Sequence, residues 1–286
     1  MDGYVEDLPL LDARQFTIAV KKLADALAYG TDRSPYLGSG VEFVQSRPYQ
    51  PGDSVRHIDW RVTARTGKHF VKEFEVPKSL PCLLLVDTSA SMAVASTRRS
   101  KYETALVVAG GLAFACLDRV SPVGVVGVGE RALRVRPSLS KTRVLEWLLR
   151  LRSYRYDERT TLGLRLREVI PSLPNRVLMI VLSDLHDPDA LPALRRASEV
   201  HDVVVVRFED PAETALRGAG FFRAREAETG REFVTHGRRR SVDFAAVDAE
   251  LRKSAIDRVV VRTDRPYVSD LRRLFASRAH LLRGVR

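Results

Sequence analysis

From about Leu80 onward, short uninterrupted apolar runs alternate with stretches of helical periodicity. The runs are Leu83–Val86, ending at Asp87; Val123–Val128; Val177–Leu182, ending at Ser183-Asp184; Val203–Val206; and Val259–Val261. Continuous apolarity, rather than alternation, marks strands that are buried on both faces. Between them the spacing predicts helices over Lys101–Leu117, Lys141–Leu151, Leu162–Ile170, Ala190–Glu199, Val242–Ile256 and Tyr267–Arg278. Such alternation calls for right-handed crossovers, hence an α/β domain whose mostly parallel central sheet carries helices on both faces. Ala132–Arg136 is short and alternating, as expected of an antiparallel edge strand. Phe221–Thr235, with Thr229-Gly230 near its middle, reads as a β-hairpin inserted at about 219–236.

Residues 1–79 follow a different pattern. A helix is predicted over Gln15–Tyr29, and after it come Gly, Pro and short polar stretches containing Tyr36, Phe43, Tyr49, Trp60 and Phe70. This composition predicts twisted strands and turns, a small N-terminal β-rich element built against the main domain. The expected division is therefore 1–79 and 80–286.

Composition changes this picture in only a few places. With 286 residues, 45 % hydrophobic and 29 % charged, the chain can bury a core without disulfides or metal staples. The two cysteines, Cys82 and Cys116, form no C-x-x-C pair, which excludes a thiolate zinc site and suggests a reducing, cytoplasmic setting. The start, Met1-Asp2-Gly3-Tyr4-Val5-Glu6-Asp7, is acidic where a signal peptide would be basic. The longest uncharged apolar run, Ala105–Leu117, has 13 residues, short of the ~20 that span a bilayer.

Forty-seven basic against 36 acidic residues leave a net charge of +11, and 39 of the basic residues are arginine. The excess is regional: 131–155 holds eight basic and one acidic side chain, and 215–286 holds 17 and nine, densest at Arg238-Arg239-Arg240. Nucleic-acid binding would need a recognisable module or a stacking platform, and with 7 % aromatics neither is evident. Solvated basic faces turned toward an acidic protein partner account for the charge more simply.

In an open parallel sheet, ligands collect beyond the carboxyl ends of the strands. Asp87 and Asp184 both fall there. Asp87 opens Asp87-Thr88-Ser89-Ala90-Ser91-Met92, in which side chains two apart can converge, so Asp87, Ser89 and Ser91 can face one point. A carboxylate and two hydroxyls form a hard oxygen set suited to Mg²⁺. Asp184 would add a second carboxylate, and Thr160 or Thr161 a third hydroxyl. With so few charges around it, such an ion stays electrophilic and can take a carboxylate from a partner. The competing explanation is that the serines merely cap the following helix.

This arrangement resembles the metal-ion-dependent adhesion site of von Willebrand factor type A domains, which have a Rossmann-like fold. The resemblance implies that Asp87, Ser89, Ser91, Thr160 and Asp184 hold Mg²⁺ or Mn²⁺, some of them through water. The family's Gly-Thr-Asp-Leu is here Arg159-Thr160-Thr161-Leu162. The loss of that glycine and carboxylate leaves the choice between Thr160 and Thr161 open.

Tyr36 to Lys68 interleaves Glu42, Asp53 and Asp59 with Arg47, Arg56 and Arg65, which suggests turns locked by bidentate ion pairs or, alternatively, a docking surface. Gly38, Gly40 and Gly52 permit backbone angles that other residues resist. The ordered pattern Tyr36-x-Gly38-x-Gly40-x-Glu42-Phe43, Arg47-x-Tyr49-x-x-Gly52-Asp53, Arg56-x-Ile58-Asp59-Trp60, Ala64-Arg65 resembles the bacterial domain-of-unknown-function 58 family. Asp210-Pro211-Ala212-Glu213 and Glu228-Thr229-Gly230 are similar to that family as well. The resemblance implies a non-enzymatic adaptor or chaperone partner of MoxR-type AAA+ ATPases.

Enzyme motifs fit poorly. Thr66-Gly67-Lys68-His69 lacks the first glycine and the final hydroxyl of a phosphate loop. Ser138-Leu139-Ser140-Lys141 lacks the companions of a Ser-x-x-Lys hydrolase and reads as a helix start. The six histidines show no His-Glu-x-x-His spacing. His186, two residues past Asp184, keeps a metal-dependent hydrolase using Asp87 and Asp184 as the enzymatic alternative; a basic nucleic-acid-binding protein is the other.

Overall fold

The computed structural model describes residues 2–4, 13–28, 42–75, 80–93, 95–131, 133–155, 157–215, 221–225, 232–236 and 244–281. The chain forms two compact units, Met1–Asp32 together with Leu80–Arg286, and Arg33–Ser79. It begins with β1 (Asp2–Tyr4) and α1 (Ala13–Ala28) of the larger unit, then runs through β2 (Glu42–Pro48), α2 (Trp60–Thr66) and β3 (Phe70–Glu75) of the smaller. The larger unit resumes with β4 (Cys82–Val86), α3 (Ala90–Ala93), α4 (Lys101–Asp118), β5 (Val123–Gly127), β6 (Arg134–Ser138), α5 (Lys141–Leu151) and β7 (Ser153–Arg155). It continues with α6 (Leu162–Val169), β8 (Leu178–Ser183), α7 (Ala190–Val200), β9 (Asp202–Glu209) and α8 (Pro211–Ala215). Last come the hairpin strands β10 (Phe221–Arg225) and β11 (Glu232–His236), then α9 (Phe244–Lys253), β12 (Asp257–Arg262) and α10 (Val268–Leu281).

Six strands make the central sheet in the order β12-β9-β8-β4-β5-β6. All neighbours are parallel except β5 and β6, so the expected antiparallel edge strand is present. The continuous apolar runs become strands buried on both faces, and their residues alternate between two cores. Cys82, Leu84 and Val86 of β4 join Ile180, Leu182, Val204 and Val206 on the face covered by α1, α4 and α5. Leu83 and Leu85 join Met179, Val181, Val203 and Val205 on the face covered by α6 and α7. The parallel register Leu84↔Ile180↔Val204 keeps each layer continuous across the sheet.

α4 is buried nearly all round, and a capping box at Ser100 and Glu103 starts it. Sequence reading grouped residues 1–79; the structure places Met1–Asp32 in the larger unit because α1 lies on α4. A Cβ on Gly110 would meet Val20 Cγ1 at 2.8 Å, and one on Gly111 would meet Leu23 Cδ2 at 2.5 Å. Only glycines permit that approach. β10 and β11 pair in register Phe221↔His236 to Arg225↔Glu232, which bears out the expected hairpin; Thr229-Gly230 and Arg238-Arg239-Arg240 lie outside the described residues. Among the described residues, no helix is long and apolar enough to cross a membrane.

In the smaller unit β2 and β3 pair antiparallel, with a bulge between Phe43 and Gln45. The expected turns and strands are accompanied by a helix, α2, whose ends follow local rules. Asp59 caps its start by accepting from Arg61 N and Val62 N, and Gly67, at φ +71°, ends it in the left-handed conformation. Thr66-Gly67-Lys68-His69 is thus a helix terminus. Of the ion pairs suggested by charge interleaving, Arg47–Asp53 forms and is bidentate, at 2.7 Å for each bond. Asp59 instead takes the Ser46 hydroxyl at 2.7 Å and the α2 cap. Gly38, Gly40 and the Glu42 side chain lie outside the described residues.

Candidate functional site

β4 lies between β5 and β8, and the chain leaves it in one direction for β5 and reaches β8 on the other side. Its carboxyl end is therefore the switch point at which an open α/β sheet leaves a crevice. Asp87 is the first residue beyond β4, and its N–H donates to Leu182 O at 2.9 Å, extending the ladder by one step. The carboxylate is fully buried. Oδ1 accepts from Ser89 N at 3.0 Å, and Oδ2 accepts from the Ser183 hydroxyl at 2.5 Å. Ser89 Oγ and Ser91 Oγ stand 3.0 Å apart. The serines do not act as simple helix caps, because Ser91 lies inside α3 and faces Ser89.

The two candidate threonines have different environments. Thr161 is occupied: its N–H and hydroxyl both bond Val128 O, at 2.9 and 3.1 Å, and the hydroxyl also bonds Gly129 O at 2.8 Å. These bonds tie the segment before α6 to the end of β5. Thr160 Oγ1 is buried and has no hydrogen-bond partner. The sequence left the choice open, and the geometry favours Thr160 as the available hydroxyl.

Glu158, fully buried, braces the same rim. Its Oε1 accepts from Thr88 Oγ1 at 2.7 Å and Arg131 N at 3.1 Å, Oε2 accepts from Arg131 Nε at 2.7 Å, and its carbonyl accepts from Ala90 N at 2.8 Å. The loops after β4 and β5 and the segment holding Thr160 are thus fastened through one side chain. Gly129 leaves room for it, since a Cβ there would lie 2.0 Å from Glu158 Oε1.

Asp184 follows β8, also fully buried. Oδ2 accepts from Lys101 Nζ at 2.7 Å, and Oδ1 lies 2.9 Å from His186 Nδ1. Leu185, between them, has φ +59°, a left-handed backbone that a branched side chain rarely adopts, and its N–H donates to Ser183 Oγ at 3.0 Å. Lys101, the first residue of α4, is 1 % exposed and bonds Glu213 of α8 as well as Asp184. One ligand atom each from Asp184, His186 and Glu213 lie within 4.8 Å of one another, around a position the Lys101 ammonium already neutralises.

These contacts set the charges. Burial and the neighbouring negative charge of Asp184 push the Asp87 carboxyl up to about 7. Burial acts the same way on Asp184, but Lys101 and His186 outweigh it and hold this carboxyl well below the usual range. Burial works against the Lys101 ammonium, and Asp184 and Glu213 overcome that to raise its pKa. Asp184 is thus the settled anion and Asp87 the less stable one.

A family model described as Protein of unknown function DUF58 matches residues 45–254. The chain belongs to the DUF58 family. Uncharacterized proteins of Mycobacterium tuberculosis and Mycobacterium bovis are each 29 % identical to it over 300 residues, covering 96 % of this chain and 92 % of each relative. The signature segment from residue 45 onward and the Asp87, Thr160 and Asp184 loops fall within the matched region of this DUF58 chain, and Tyr36–Phe43 precede it.

On the Asp87 side a carboxylate and two hydroxyls in mutual contact are the donor chemistry of a hard divalent cation, and the Thr160 segment, which Glu158 ties to that loop, offers a buried hydroxyl without a partner. On the Asp184 side a resident ammonium already supplies the positive charge. Sequence reasoning missed Lys101, Ser183, Glu158 and the role of Glu213. A lysine opening a helix and a serine ending a strand are ordinary at those positions, and no local spacing connects them.

Proposed function

We propose that this DUF58 chain is a non-enzymatic, divalent-cation-dependent protein interaction module with a von Willebrand factor type A-like fold. Asp87, Ser89, Ser91, Thr160 and Asp184 would hold Mg²⁺ or Mn²⁺, some through water. When bound, the ion supplies an electrophilic position for an acidic side chain of the partner, which the family resemblance suggests is a MoxR-type AAA+ ATPase. Ser183 and the Ser89 N–H fix the orientation of the Asp87 carboxylate, and Glu158 holds its loop against the Thr160 segment. The observation that carries this reading is the buried, partnerless hydroxyl of Thr160 beside a neighbour whose hydroxyl is fully used. A buried polar atom without a partner calls for an explanation, and a bound ion or ordered water is one.

Mn²⁺ binding followed by electron paramagnetic resonance tests it. The wild-type chain should bind one ion, and Asp87→Asn should weaken binding at least ~10-fold, on the scale that ligand-shell changes produce. Equal binding by the two proteins would overturn the assignment. Metal-dependent phosphoester turnover that disappears in the same variant would instead establish the hydrolase alternative.

A further inference from the structure

The most unusual side chain in the larger unit is Lys101. An ammonium that is 1 % exposed is held between two carboxylates contributed by segments 83 and 112 residues away. Burying a cation is costly unless it is paired and hydrogen-bonded. Asp184 and Glu213 meet that condition, and the other oxygen of Asp184 accepts the His186 backbone N–H at 3.4 Å. Both oxygens of Asp184 are therefore engaged by donors of this chain, with no ion needed.

A divalent cation approaching Asp184 meets two obstacles: Oδ2 is already held by Lys101, and that group carries a like charge. Two positive charges a few ångströms apart in a partly buried site repel strongly. The ammonium has one retreat. Glu213, the second carboxylate already bonded to it, has a side chain 20 % exposed, and its other oxygen accepts the Asp210 N–H at 3.2 Å. The ammonium already bonds both carboxylates, so losing its bond to Asp184 would leave it on Glu213.

We propose that Lys101 is a tethered competitor of the divalent cation for Asp184, and that the cation binds by displacing the ammonium onto Glu213. This rests on the metal reading above and deepens it. Lys101 holds the site closed and charge-balanced without metal, and it sets how much free cation is needed to fill it. Glu213 is the receiving group, and no bond to the metal is asked of it. The simpler alternative is a purely structural ion triad, in which Lys101 never moves.

The two alternatives differ in a double-variant cycle read by Mn²⁺ affinity. Lys101→Met removes the competitor while keeping the side-chain length, and it should raise affinity by about tenfold or more, given the charge repulsion relieved. Lys101→Arg keeps the charge and should stay near wild type. Glu213→Gln should weaken binding several-fold in the wild-type background and leave it unchanged in Lys101→Met, where no ammonium needs receiving. Equal or weaker binding by Lys101→Met, with wild type still binding, overturns the competitor and leaves the metal site standing. Absence of binding in both proteins removes the two together. A Glu213→Gln loss in both backgrounds would make Glu213 a ligand and overturn the exchange.

One measurement on the wild-type protein does not depend on the folding of any variant. A buried, hydrogen-bonded lysine ammonium gives its own proton–nitrogen resonance, and the Lys101 signal should shift when Mg²⁺ is added. A stationary signal at saturating Mg²⁺ overturns the proposal.

Discussion

The two units use opposite charges in different ways. In the smaller, Arg47 and Asp53 form a bidentate pair at the surface, with side chains 34 % and 17 % exposed. In the larger, Lys101 and Asp184 pair at 1 % and 0 %. Water shares the first interaction, so each charge keeps a solvated alternative and the pair serves chiefly to fix a turn. No solvent reaches the second, and removing Lys101 strands a fully buried carboxylate. A similar contact distance therefore means different things. At the surface it shapes a loop, and at the switch point it determines what else can bind.

The largest effect that would sharpen this contrast is on folding. Without divalent cation, Lys101→Met should lower stability by roughly 3–5 kcal/mol in chemical denaturation, the range found when one partner of a buried pair is lost. A loss below about 1 kcal/mol would mean that the Asp184 site is effectively solvated, and the contrast between the units would collapse. Glu158→Ala should come next, at about 1–3 kcal/mol, because it leaves Thr88 and Arg131 without the acceptor they share. An effect no larger than that of a surface substitution would show that the rim loops are held independently of Glu158.

The smallest expected effect is at Asp53. The Arg47 hydrogen bonds and the Gln50 N–H bring its carboxyl down to about 2. A depressed folded-state pKa means that the pair's contribution is complete above the ordinary value of 3.8 and is lost as pH falls through about 2. Acidification between those values should weaken the turn, and nuclear magnetic resonance titration of Asp53 should give a midpoint near 2. A midpoint near 3.8 would mean that the surface pair does not form in solution.

Much of the larger unit was legible in the sequence, because burial on both faces leaves an unmistakable mark. Val177–Leu182 can hardly be anything but an interior strand, and Asp184 had to fall at its carboxyl end. The edge strand near Arg134 and the inserted hairpin were readable from alternation and from the Thr-Gly pair in the sequence between the two hairpin runs. α2 was not expected, although Asp59 and Gly67 were its cap and stop in plain view; the aromatic residues around them suggested strands more strongly. The join between α1 and α4 was hidden, because Gly110 and Gly111 acquire meaning only once Val20 and Leu23 are known to lie against them. At the site, local spacing singled out Asp87, Ser89 and Ser91. Lys101 escaped notice for a physical reason: its partners come from β8 and α8, and a contact made entirely by tertiary packing leaves no period in the chain.

The central claim is most directly tested by calorimetric titration of Mg²⁺ into wild type, Thr160→Val and Thr161→Val. Wild type should show one site, Thr160→Val, whose hydroxyl has no hydrogen-bond partner, should bind at least ~10-fold more weakly, and a less stable Thr161→Val should bind near-natively. Unchanged affinity in Thr160→Val, or no binding by the wild-type protein, would contradict it.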